Sequence, residues 1–147
     1  MHVVNDGDTA LHRATVANNP DAIDMIICRG RADYNSKNMY GKTPLHVATD
    51  RDYADAVARL IQLGVDIDMV DSEGQTPLHL TVSSVEGCPA AAQELLNAGA
   101  NVNSLSRRDE FAPLDFATYN GHVKMVEALI QQGATVSATD SKGRSAL

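Results

Sequence analysis

His12, His46 and His79 stand 34 and 33 residues apart and are the first candidates for metal or acid–base chemistry. A zinc site needs nitrogen ligands converging to about 2.0–2.1 Å. Each of these histidines, however, directly follows a leucine in a repeated Thr-Ala-Leu-His or Thr-Pro-Leu-His. They are equivalent positions in successive structural units, and packed helices stand about 8–10 Å apart. Three imidazoles at that interval share no ion, so their expected role is hydrogen bonding within and between units. Asp115 in the fourth equivalent place agrees. Ser83, Ser84, Glu86 and Cys88 follow His79 closely and include the types used as nucleophile and base. Catalysis would also need an orienting group and an oxyanion site, and neither is legible. With no Gly-x-Gly-x-x-Gly or phosphate loop, the expectation is a chain that is not an enzyme and carries no metal or cofactor. The acidic set Asp50, Asp52, Asp55, Asp66, Asp68, Asp71 and Glu73 contains only Arg51 and Arg59 as counter-charges. It reads as a solvated face or as a surface that recruits a basic segment.

The elements that position these residues start from Gly41-Lys42-Thr43-Pro44-Leu45-His46-Val47-Ala48. A glycine permits a turn with positive φ, a threonine hydroxyl can cap a helix, and proline suits the first helical position. The motif recurs at Gly7–Ala14 and Gly74–Thr81, in altered form at Glu110–Ala117, and as a truncated copy at Gly143–Leu147. The leucines mark the period: Leu11 to Leu45 is 34, Leu45 to Leu78 is 33, Leu78 to Leu114 is 36 and Leu114 to Leu147 is 33. A period near 33 indicates a solenoid of supersecondary units.

Inside each unit an i, i+3, i+4 apolar stripe precedes a glycine: Ile23, Ile26 and Ile27 before Gly30; Val57, Leu60 and Ile61 before Gly64; Ala92, Leu95 and Leu96 before Gly99; Val126, Leu129 and Ile130 before Gly133. Such spacing predicts a helix with one buried face, stopped by a glycine in the left-handed region. Between that glycine and the next motif, alternation followed by a turn predicts an extended finger rather than a third helix. Unit one has one extra residue in its finger, and unit three has two extra residues between its helices. In unit four Glu110, Ala112 and Asp115 replace Gly, Thr and His, so the finger at 104–112 is expected to be irregular.

Gly-x-Thr-Pro-Leu-His at 41–46 and 74–79, Asn120-Gly121-His122 and Gly99-Ala100-Asn101-Val102-Asn103 together closely resemble the ankyrin repeat across essentially the whole chain. The resemblance implies an all-α solenoid of stacked helix pairs with β-hairpin fingers, used for protein binding. It divides the chain, 1–147, into one array with repeats at about 5–37, 38–70, 71–105 and 106–138 and the start of a fifth at 139–147. Because the sequence stops inside an opening motif, it reads as part of a longer array. Asp6-Gly7-Asp8-Thr9-Ala10-Leu11-His12 also resembles the opening repeat of inhibitors of Rel/NF-κB transcription factors.

Composition sets limits. The 147 residues are 44% apolar and carry a net charge of −7, with the basic residues scattered. Nucleic acid is therefore not an expected partner, since phosphate neutralisation needs a clustered basic face. No apolar run approaches the ~18 residues of a membrane span, so no membrane association is expected. Cys28 and Cys88 read as free thiols of a reducing compartment, cytoplasmic or nuclear.

The expected function is a noncatalytic interaction scaffold that binds another protein, a basic segment being the candidate epitope, and no small molecule. The alternatives are a regulatory or substrate-recruiting arm of a larger enzyme, ligase or channel, and an inhibitor of a Rel/NF-κB-type factor. In the ankyrin family the contacts fall three, five and six residues before each marker leucine, and five and six after it. Carried over, these are Met39, Tyr40 and Lys42 with Asp50 and Arg51; Ser72, Glu73 and Gln75 with Ser83 and Ser84; and Arg108, Asp109 and Phe111 with Tyr119 and Asn120. Tyr40, Phe111 and Tyr119 are the expected anchors, and Asp50 and Glu73 the expected acidic attractors.

Overall fold

A computed structural model describes residues 6–30 and 32–136. The truncated fifth copy of the motif, with the repeat expected at 139–147, lies outside the described residues. Eight helices follow one another among the described residues: α1 (Ala10–Val16), α2 (Pro20–Cys28), α3 (Pro44–Asp50), α4 (Ala54–Gln62), α5 (Pro77–Ser83), α6 (Pro89–Asn97), α7 (Pro113–Tyr119) and α8 (Val123–Gln131). They form four pairs. The first helices α1, α3, α5 and α7 pack in a row, with α2, α4 and α6 stacked beside them. This is an all-α solenoid. Helices of seven and nine residues are too short to persist alone, so each must bury its stripe against the neighbouring units.

Local chemistry fixes both ends of these helices. Thr9, Thr43 and Thr76 are N-caps, followed in the second and third cases by proline at the first helical position. The second helices end two residues before Gly30, Gly64, Gly99 and Gly133, one C-cap residue intervening, and all four glycines have positive φ. The marker residues Leu11, Leu45, Leu78 and Leu114 are buried, as are Ile23, Val57, Leu60, Leu95 and Leu129. The stripes are less complete at the ends. Ile26, Ile27 and Val126 are only half-buried, and Ile130 is 41% exposed. Each second helix needs a neighbour on both sides to cover its whole stripe, and among the described residues α2 and α8 each have one at most.

The histidines bond as the repeat geometry predicts. His46 Nδ1 lies 3.2 Å from the Thr43 N–H and 2.9 Å from Thr43 Oγ1. A ring nitrogen that accepts an N–H carries no proton, so Nε2 bears it and donates to the Gln75 carbonyl of the next unit at 3.0 Å. His12 and His79 repeat the pattern, their Nε2 atoms reaching the carbonyls of Lys42 at 2.8 Å and Phe111 at 3.0 Å. Every buried imidazole thus ties a helix start to the following finger.

Burial holds the pKa values of His46 and His79 below the ordinary 6.5. The unfolded chain therefore takes up protons that the fold refuses. Stability from these two groups is complete above about pH 6.5 and is lost as the pH falls below that value and on through their folded pKa values. The slope approaches about 1.4 kcal/mol per pH unit for each histidine. Urea midpoints measured from pH 7.5 to 5 are expected to decline accordingly, and a flat profile would remove these histidines from the account.

The fingers depart from the expected β-hairpins. Each is a single tight turn, closed by Asn38 N–H to Lys42 O, Asp71 N–H to Gln75 O and Ser106 N–H to Phe111 O, all at 2.9 Å. One backbone bond joins each finger to the next: Met39 N–H to Asp6 O, Ser72 N–H to Tyr40 O and Arg107 N–H to Glu73 O. No strand forms among the described residues. The reason is that side chains take the donors a ladder would use. Asp71 Oδ1 accepts from the N–H groups of Glu73 and Gln75, and Asn38 Oδ1 from those of Tyr40 and Lys42.

The finger of unit four is more regular than its sequence suggests. Glu110 adopts the positive φ of the missing glycine, at 53°. Ser106 Oγ accepts from the Phe111 N–H, and the Asp115 carboxylate accepts from the Ala112 N–H at 2.8 Å in place of the histidine ring. Units one and three keep their departures. The extra residue of unit one falls between Gly30 and Asp33, where the Asx staples come into register with Asp66 and Asn101. In unit three, residues 84–88 link α5 to α6, five residues against three in the other units.

Candidate protein-binding face

The finger tips and the first-helix row form one side of the stack. Met39 and Tyr40, at 64% and 54% exposure, project from the second finger because the positive φ of Gly41 turns the chain back there. They meet Lys42 of the same finger and Ser72, Glu73 and Gln75 of the next around a depression of about 500 Å³. Its floor includes Asp71, whose buried carboxylate is occupied with two backbone N–H groups, and Leu80. Six of the expected contact residues therefore surround one concavity.

The remaining expected residues are placed differently. Lys42 Nζ lies 3.1 Å from Asp50 Oδ2, so the Asp50 charge is partly answered within the chain. Glu73 and Arg51 are exposed, and neither enters an ion pair among the described residues. Tyr119 stands 84% exposed at the end of α7, a large apolar surface that the fold does not use. Phe111 is half-buried, its ring set edge-on to Phe116 at 5.4 Å, and Phe116 in turn meets the His79 ring at 6.0 Å. That ring belongs as much to the stack as to the surface. Asn120 Nδ2 donates to the Val82 carbonyl at 2.8 Å, and the Ser84 carbonyl accepts from His122 Nε2. Asn120 and Ser84 thus join units three and four. Ser83 is half-buried, while Arg108 and Asp109 are exposed on the fourth finger.

The acidic set resolves into individual jobs. Besides Asp71, Asp66 Oδ1 accepts from the Asp68 N–H, Asp68 Oδ1 from the Asn101 N–H of the next unit, and Asp52 Oδ1 from the Ala91 N–H. Four of the seven carboxylates are backbone staples, which leaves Glu73 and Asp55 as exposed acids without an ion pair among the described residues. The sequence reading missed a line of residues two positions after the marker leucines. Val47, Leu80 and Phe116 are apolar there, and Leu80 reaches the Tyr40 depression. Arg13 holds the same place in unit one. The signal was available, since three of four units carry a large apolar residue outside the buried helix stripe.

The thiols are free, Cys28 exposed and Cys88 buried. Burial and the nearby Asp52 and Asp50 charges push the Cys88 thiol above its ordinary pKa. No described helix is long and apolar enough to cross a membrane, and no cluster of three or more metal-ligating side chains occurs among the described residues.

The chain is 30% identical to the mouse B-cell lymphoma 3 protein homolog over 143 residues, covering 95% of this chain and 31% of that protein. It is 33% identical to human neurogenic locus notch homolog protein 1, over 87% of this chain and 5% of the relative. It is also 33% identical to the bovine SMC5-SMC6 complex localization factor protein 1, over 77% and 11% respectively. The chain thus spans less than a third of each of these relatives. A single ankyrin-repeat model matches residues 6–39, and a model of three ankyrin repeats matches 25–106 and 53–140. With the buried Thr–His caps, the paired helices and the glycine stops, these matches show that the chain belongs to the ankyrin-repeat family.

Proposed function

We propose that this array is a noncatalytic protein-binding module that takes its partner across the finger tips and the first-helix face. The depression between the second and third fingers carries the reading. It joins an exposed Tyr40 and Met39, a Leu80 floor and a Glu73 that enters no ion pair among the described residues. Exposed aromatic anchors beside a polar rim are what protein interfaces use. The perturbed histidines do not favour catalysis, because each is fully buried with both ring nitrogens bonded to its own chain. Tyr40 and Tyr119 act as anchors, and Glu73, with Asp50 to a lesser degree, attracts basic residues of the partner. Phe111 contributes through its exposed edge.

The test is capture from a cell lysate with the intact array, then identification and titration of the captured protein. Tyr40→Ala and Tyr119→Ala are each expected to weaken binding by about 1–3 kcal/mol, mainly through faster dissociation. Asp50→Asn with Glu73→Gln is expected to slow association and flatten its salt dependence. Each variant is checked for an unchanged melting temperature. If all of them bind like the parent while Asp24→Asn or Lys124→Gln on the second-helix side weakens capture, the face is wrongly assigned.

A second reading is favoured by the short span of the matches within much longer relatives. In it the array is the regulatory or recruiting arm of a larger enzyme, ligase or channel, and the same face serves. The Rel/NF-κB inhibitor reading rests on the motif at 6–12, where Asp8 is engaged internally with Asn38 Nδ2 at 3.0 Å. A cytoplasmic or nuclear setting accords with the two free thiols.

A further inference from the structure

The five-residue connection of unit three has a consequence on the second-helix side, away from the face described above. It leans onto unit four: His122 Nε2 donates to the Ser84 carbonyl at 2.8 Å, and Gly87 lies so close that a Cβ there would stand 3.2 Å from the His122 ring. α6 packs along α4 but stands off from α8. A recess of about 460 Å³ remains between α6 and α8, with the connection across one end. Leu96, Pro89, Met125 and Ala128 give it apolar walls.

Pockets for small ligands occupy roughly 300–1,000 Å³ and combine apolar walls with a few polar groups. The closed end argues for a compact ligand, because a partner helix would need a groove open at both ends. Two charges border the recess, Glu86 on the connection and Lys124 in the first turn of α8. Both are exposed and belong to neither ion pair found among the described residues, but Lys124 stands at the N-terminal, electropositive end of α8, so the two positive contributions there favour an anion. We propose that the recess between α6 and α8 binds a small, mainly apolar molecule with one anionic group, its body against Leu96, Met125 and Ala128 and its anion at Lys124. The site is independent of the protein-binding face.

Dodecanoate and 1-anilinonaphthalene-8-sulfonate are suitable probes with the full chain. Saturable binding at one site is expected, weakened about tenfold or more by Ala128→Trp, which fills the recess, and about fivefold by Lys124→Glu. Dodecanol, which has no charge, is expected to bind more weakly than dodecanoate. Cys88 lines the recess and supplies a footprint that needs no folding-sensitive variant. In Cys28→Ser protein, saturating dodecanoate is expected to slow the reaction of Cys88 with a disulfide reagent. The proposal is overturned if neither probe saturates, if Lys124→Glu binds dodecanoate like the parent, or if dodecanoate leaves the Cys88 rate unchanged.

Discussion

Leu45→Ala and Leu78→Ala are each expected to lower the unfolding free energy by about 2–5 kcal/mol, the range for deleting a buried leucine from a packed interior. Both side chains are fully buried in the middle two units, where helices pack on either side. The cavity can collapse little, because the first helices on both sides are fixed at their starts, α1, α3 and α5 by the Thr–His caps and α7 by the Asp115 carboxylate on the Ala112 N–H. Each unit depends on its neighbours, so the loss is expected in the cooperative unfolding of the array rather than in local fraying. Chemical denaturation of parent and variants gives the measurement. A loss under about 0.5 kcal/mol, typical of surface positions, would place these leucines outside the core.

Gly74→Ala is expected to be nearly as damaging, although it adds only one methyl at a turn. A Cβ at Gly74 would stand 2.6 Å from the Arg107 backbone nitrogen and 2.5 Å from its Cβ, and the residue has φ of +74°. Gly99, at φ +83°, has nothing within 4 Å of the same added atom. Alanine at Gly99 therefore bears only the left-handed backbone penalty, about 1–2 kcal/mol. At Gly74 the next finger must also move away, which breaks the Arg107 N–H bond to the Glu73 carbonyl, a further ~1 kcal/mol. Glu110, at the corresponding place in unit four with φ of 53°, shows that the backbone conformation alone is tolerated. Equal losses for Gly74→Ala and Gly99→Ala would mean that the fingers are not packed against one another as described.

The sequence was most informative where structure depends on residues close together in the chain. A threonine three residues before a histidine caps a helix, proline starts it, and a glycine after an apolar stripe ends it. These are contacts of one turn, so the helix starts at Thr9, Thr43, Thr76 and Ala112 and the four glycine stops could be read from spacing alone. The period of about 33 then required stacking, because helices this short need neighbours. The expected contact residues were placed by counting the ankyrin family's contact positions from the marker leucines, and they fall outside the apolar stripes.

Only the tertiary structure decided how those positions meet. Asp66, Asp68 and Asp71 look alike as sequence, yet Asp68 holds the Asn101 N–H of another unit while Asp71 closes its own finger. Lys42 answers Asp50 across eight residues, and Phe111 turns onto Phe116. The fingers fell short of strands because Asx side chains satisfied the donors first, a competition between bonds of similar strength that composition does not resolve. The recess beside α8 arises from two inserted residues whose effect appears between elements about 30 residues apart. Local spacing specifies which bonds a turn can make. Which of two distant groups a carboxylate or a ring finally meets depends on where whole helices come to rest, and that is set by packing summed over the stack.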